Sequence, residues 1–145
     1  MADLYSIFYA TLEQHTEFWW KLHLEERNHA SLIRTVRDYF DPIGIHPKDL
    51  LLEDLHEINH CNAIITDLIK RYNNQSPDEA EAFNIALTLE KTASEAHYQH
   101  FMSSHEQLSS LFRRLNKDDK DHLERIKAYM ELNDIPVTKI ELLDS

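Results

Sequence analysis

Tyr5, Phe8, Trp19, Leu22, Glu26, His29 and Ile33 recur 93 positions later as Tyr98, Phe101, Phe112, Leu115, Asp119, His122 and Ile126. Both copies carry the ungapped pattern aromatic–x–x–Leu–x–x–x–acid–x–x–His–x–x–x–Ile. Apolar positions that alternate by three and four form a helix stripe facing a core. An acid and a histidine three apart in that stripe lie one turn apart on one face. The chain must therefore fold as helices that bury polar side chains twice, in two related hairpins. Facing acid-x-x-His pairs inside a four-helix bundle make a two-metal site.

Helix breakers are rare. Glycine occurs only at Gly44, and proline only at Pro42, Pro47, Pro77 and Pro136. A β-rich chain needs more turn residues than that. The spacing predicts one domain over 1–145, with helices over about 2–12, 16–40, 48–72, 77–104 and 106–132 and a loosely packed, extended tail over 133–145. Thr16 is the predicted N-cap of the second helix, which stops before Asp41-Pro42. Its stripe reads Trp19, Leu22, Glu26, His29, Ile33, Val36 and Phe40. Ser76 is the predicted cap of the fourth helix, with Pro77 at its first position. That helix turns Phe83, Ala86, Glu90, Ala93, His97 and Phe101 inward. The fifth turns in Leu108, Phe112, Leu115, Asp119, His122, Ile126 and Tyr129. A hairpin, a long crossover carrying an extra helix, and a second hairpin is the all-α, ferritin-like four-helix bundle arrangement.

The formal net charge of −11 repels nucleic-acid phosphates and anionic lipid, so neither is an expected partner. Cys61 is the only cysteine, which excludes disulfide scaffolds and cysteine-built metal sites within one chain. The first residues show no basic n-region and no long apolar core, so no signal peptide is expected. No apolar run approaches the roughly 20 residues of a membrane span. A cytoplasmic protein is the expectation.

Carboxylates in a helix seam are costly unless they are paired or hold a cation. Here they stand at Glu26, Glu90 and Asp119, with imidazoles at His29, His97 and His122. Two hard cations need oxygen donors to bridge them and neutral imidazoles to cap them. Glu26 and Asp119 would bridge, His29 and His122 would each cap one metal, and Glu90 would be terminal. Glu90 and Asp119 are about equally far from a turn near residues 104–105, which places them at one height. The position matching Glu90 in the first half falls before Met1, so one acidic ligand is missing.

EFWWKLHLEERNHASLIRTV resembles the second helix of the rubrerythrin branch of the ferritin-like family. ALTLEKTASEAHYQHF resembles its next metal-bearing helix, and DKDHLERIKAYM its last. The resemblance spans most of the chain except residues 41–75. It implies a bundle with a non-haem di-iron or di-manganese centre, used in peroxide reduction, oxygen chemistry or iron oxidation. The implied ligands are Glu26, His29, Glu90, Asp119 and His122. Asp119 replaces a glutamate of the family pattern, and no rubredoxin-like cysteine module follows.

Plainer readings stand beside these. The polar seam can be a layer in which Glu and His hydrogen-bond each other and fix the bundle's register. Glu26, His29, Asp119 and His122 alone would make a single-metal site. His97 lies two turns from Glu90, about 10 Å along the axis, too far to share its cation. His56 and His60 have zinc-compatible spacing but read as a solvated flank. Tyr5, Phe8, Tyr9, Phe18, Trp19 and Trp20 read as a core plus a dimer face. Uncovered apolar surface near Leu4 and Phe8 would then drive a homodimer, and the protein would be a non-enzymatic interaction module.

Overall fold

The first helix, α1 (Ala2–Thr11), carries no glycine or proline and has Asp3 in its first turn, where a negative charge suits the helix dipole. It belongs to a computed structural model that describes residues 1–40, 55–96 and 121–140. Among the described residues the chain is all-α, with no strand. A 3-10 turn at Glu13–His15 leads into α2 (Thr16–Phe40). Then come α3 (Leu55–Tyr72), α4 (Glu79–Ala96) and α5 over residues 121–132. No described helix is long and apolar enough to cross a membrane.

One core joins these helices. It is built from Leu4, Tyr5 and Phe8 of α1, Trp19 and Leu22 of α2, and Leu68 and Tyr72 of α3. Phe83, Ala86 and Leu89 of α4 and Ile126 and Met130 of α5 complete it. Trp19 is the hub, with ring centroids 4.5 Å from Phe83, 4.9 Å from Phe8 and 5.7 Å from Tyr5. Edge-on and tilted aromatic pairs at such distances add to plain area burial. The Phe8 ring also meets Tyr72 edge-on, so α3 packs against α1.

Several sequence expectations are corrected here. Leu4 and Phe8 have no exposed surface, so neither supplies open apolar area for a second copy. Trp19 and Phe8 cover each other because α1 folds back along α2. Ile33 is 46% exposed rather than buried, so the seam of α2 does not continue through it. Thr16 does not cap α2: it is already helical, and its hydroxyl donates to the Glu13 carbonyl at 2.8 Å. The cap of α4 is Asp78, not Ser76, since Asp78 Oδ1 accepts the Glu81 amide at 2.7 Å. A carboxylate accepts that amide more strongly than a hydroxyl does, which moves the helix start two residues past Pro77.

The corner before α2 is held by His15, a residue the sequence did not single out. Its Nδ1 lies 3.0 Å from the Tyr129 hydroxyl, and its Nε2 pairs with Glu79. Burial, then the carboxylates of Glu79 and Glu17, push the Tyr129 phenol up, so it stays protonated. In the tautomer where this hydroxyl donates to Nδ1, the Nε2 proton goes to Glu79.

The described stretch after α5, residues 133–140, is held more tightly than expected. The last turn of α5 closes with the Ile135 amide on the Met130 carbonyl at 2.9 Å. Asp134 sits there at a φ of 56°, the left-handed position of a Schellman ending. Ile135 and Met130 are both buried beneath this turn. Asn84 of α4 then grips the tail: its Nδ2 donates to the Pro136 carbonyl and its Oδ1 accepts the Thr138 amide, both at 2.8 Å. The starts expected for the third and fifth helices and the end expected for the fourth lie outside the described residues. We predict that Asn84→Ala, which strips both bonds from a fully buried side chain, costs about 1–3 kcal/mol. Urea denaturation checks the loss, and limited proteolysis should show residues 135–140 cut before the helices are.

Candidate metal centre

Alternation of three and four along α2 carries Glu26 and His29 to its inner face, one turn apart, with the carboxylate Oε1 3.6 Å from His29 Nδ1. Their side chains are 11% and 12% exposed. His122 arrives from α5, 2% exposed, with Nδ1 3.3 Å from Glu26 Oε1. The rings of His29 and His122 stack with centroids 5.3 Å apart. Glu90 comes from α4 with its side chain 1% exposed, and its Oε1 lies 3.7 Å from the same His122 nitrogen. Tyr5 of α1 closes the layer by donating its hydroxyl to Glu90 Oε1 at 2.7 Å.

One atom each from Glu26, His29 and His122 lie within 4.8 Å of one another. A cation with bonds of about 2.1 Å holds its donors roughly 3–4 Å apart, so this grouping suits one. Three buried atoms of the layer lack an aligned hydrogen bond: Glu26 Oε1, Glu90 Oε2 and His122 Nδ1. Buried polar atoms left this way call for an ion, a proton or a water. Two imidazoles and a carboxylate on one point are a donor set for a first-row transition metal. These three residues therefore fit one such cation, half of the two-metal group that the resemblance implies.

Of the predicted ligands, Glu26, His29, Glu90 and His122 come together, while Asp119 lies outside the described residues. His97 and the side chain of His56 also lie outside them, and His60 is exposed. Tyr5 of α1 occupies the corner facing Glu90. Its place in the repeat, opposite Tyr98, marked it as a core aromatic only. Glu25 was also missed. Its Oε2 lies 3.2 Å from His122 Nε2, and Arg125 grips the same carboxylate through both Nη atoms. These partners are 100 positions apart, and no helical spacing announces such a contact.

The charges in the layer support each other. Burial alone would raise the Glu26 carboxyl. His122 and then His29 outweigh it and lower the group from 4.5 to about 2. Burial alone would lower His122, but Glu26 and Glu90 outweigh that and raise it from 6.5 to about 10. The two shifts favour an imidazolium at His122 beside an ionised Glu26. No family model, curated protein or solved structure matches the chain.

A raised histidine stabilises the fold fully below its ordinary pKa and loses that contribution as pH climbs through the folded value. A depressed carboxylate contributes fully above its ordinary pKa and loses this as pH falls. The two overlap between 4.5 and 6.5. The melting temperature of the metal-free protein should therefore fall as pH rises from 6.5 toward about 10. His122→Gln should flatten that slope, and a variant retaining the full slope would show that the histidine is not its source.

Proposed function

We propose that the protein is a metal-binding helical bundle of the ferritin-like, rubrerythrin type. In this reading it holds non-haem iron or manganese, and acts as an oxidoreductase on dioxygen or peroxide or as an iron-handling protein. The observation that carries this is the convergence of Glu26, His29 and His122 on one point, with Glu26 Oε1 and His122 Nδ1 buried and lacking an aligned hydrogen bond. Glu90, beside His122, adds a further carboxylate, and Asp119 remains the proposed fifth ligand. A bound cation would supply a redox couple and Lewis acidity in a site shielded from water.

The chain's own residues have separate tasks in this reading. Glu26, held ionised by its imidazoles, contributes negative charge toward the cation. His29 and His122 contribute neutral nitrogen once His122 gives up its extra proton. The core around Trp19, Leu22 and Phe83, with no exposed surface, excludes bulk water from one side. Tyr5 holds a proton on its hydroxyl oxygen, directed at Glu90, so a proton donor stands at the edge of the donor set.

Anaerobic loading with Fe(II), and separately with Mn(II), followed by desalting and metal analysis, tests the proposal. Near-stoichiometric metal in the wild type is expected, with nearly all of it lost in Glu26→Ala and His122→Ala. Equal, negligible metal in all three would leave the layer as a proton-sharing polar network that sets the register of the helices.

A second reading has one specific observation behind it. Tyr9 and Trp20 are 37% and 44% exposed, with ring centroids 5.1 Å apart, and Leu24 beside them is 42% exposed. This patch, rather than the covered Leu4 and Phe8, is where a second copy would dock in a homodimer. Sedimentation equilibrium should show a dimer that Trp20→Glu dissociates, while a monomer at high concentration in the wild type rules this reading out.

A further inference from the structure

A histidine can ligate through either ring nitrogen, and the choice is set by what the other nitrogen does. In His122 the two nitrogens face different surroundings. Nδ1 looks into the donor layer, 3.3 Å from Glu26 and 3.7 Å from Glu90, with no aligned hydrogen bond. Nε2 looks outward, 3.2 Å from Glu25 Oε2. Glu25 is itself fixed, since Arg125, one turn after His122 on α5, holds both its oxygens. The carboxylate is thus pinned from the helix that carries the histidine, although it is rooted on the helix that carries Glu26 and His29.

We propose that Glu25, clamped by Arg125, is the positioning residue of this site: it takes the Nε2 proton of His122 as a hydrogen bond and thereby commits Nδ1 to the cation. The inference rests on the metal reading above. Its chemistry is simple. A cation taking the Nδ1 lone pair displaces the proton on that nitrogen, and one proton remains on Nε2. A carboxylate accepting that proton makes Nδ1 a stronger donor and stops the ring from rotating about its Cβ–Cγ bond. Glu25 does not itself join the donor set, because Arg125 holds both its oxygens. The adjacent acids Glu25 and Glu26 therefore divide the work: the outer one orients and the inner one ligates.

Zn(II) titration by calorimetry, combined with nitrogen-15 NMR of the zinc-loaded protein, tests this. Glu25→Ala should bind Zn(II) about 10- to 100-fold more weakly than wild type. Glu25→Gln, which keeps an acceptor oxygen, should recover much of the loss. Arg125→Met, which releases the clamp and leaves both polar partners, should weaken binding in the same direction but less. In the wild type the His122 Nε2 proton should be protected from exchange, with Nδ1 shifted by the metal. In Glu25→Ala that protection should vanish. If Glu25→Ala does not fold, the Arg125→Met affinity and His122 signals decide. Wild-type affinity and unchanged His122 signals in the folded variants overturn the positioning role while leaving the metal reading intact. Failure of the wild type to take up Zn(II) overturns both.

Discussion

A carboxylate sealed from water has to find positive charge or protons, and everything around Glu90 answers that demand. Its side chain is 1% exposed. Tyr5 donates to one oxygen, His122 stands beside the same oxygen, and the other oxygen has no aligned partner. Supplying even this much compensation needs side chains from α1 and α5. Glu26, on α2, meets the same histidine. Four helices are therefore tied to one polar layer, and none can shift along its axis without stranding a charge. The cost of a stranded buried charge is several kcal/mol, more than most single apolar contacts contribute.

The apolar core follows from the same geometry. Leu22 and Trp19 lie one and two turns before Glu26 on the inner face of α2, and Ala86 and Phe83 similarly precede Glu90 on α4. The polar layer thus sits at one end of a continuous aromatic core. At the far end, His15 bridges Glu79 and Tyr129. Two histidine-centred polar clusters bracket the aromatic rings and set how α2, α4 and α5 meet. The chain end is drawn into the same body, since Asn84 spends its amide on residues 136 and 138.

His122 carries more of the site's behaviour than any other residue. It faces two acids through one nitrogen and a third through the other. That setting favours the imidazolium, and the proposed cation would have to compete with a proton for the same nitrogen. The charge layer that holds the helices in register and the donor set that would hold a cation are made of the same atoms.

Helical periodicity by itself determined that the described residues are all-α and that Glu26, His29, Glu90 and His122 face inward, because side-chain direction on a helix follows from spacing alone. Capping was less legible: Thr16 and Ser76 have cap chemistry, yet the 3-10 turn and Asp78 took over those helix ends. Burial of Leu4 and Phe8, exposure of Ile33, and the anchoring of Ile135 depended on where α1, α3 and the chain end pack, and no local pattern encodes that. Only the tertiary structure could bring Tyr5 to Glu90 and Glu25 to Arg125 and His122, since those contacts join residues 85 and about 100 positions apart. Sequence spacing fixes which way a side chain points within its helix; what it meets there is decided by the crossing of helices.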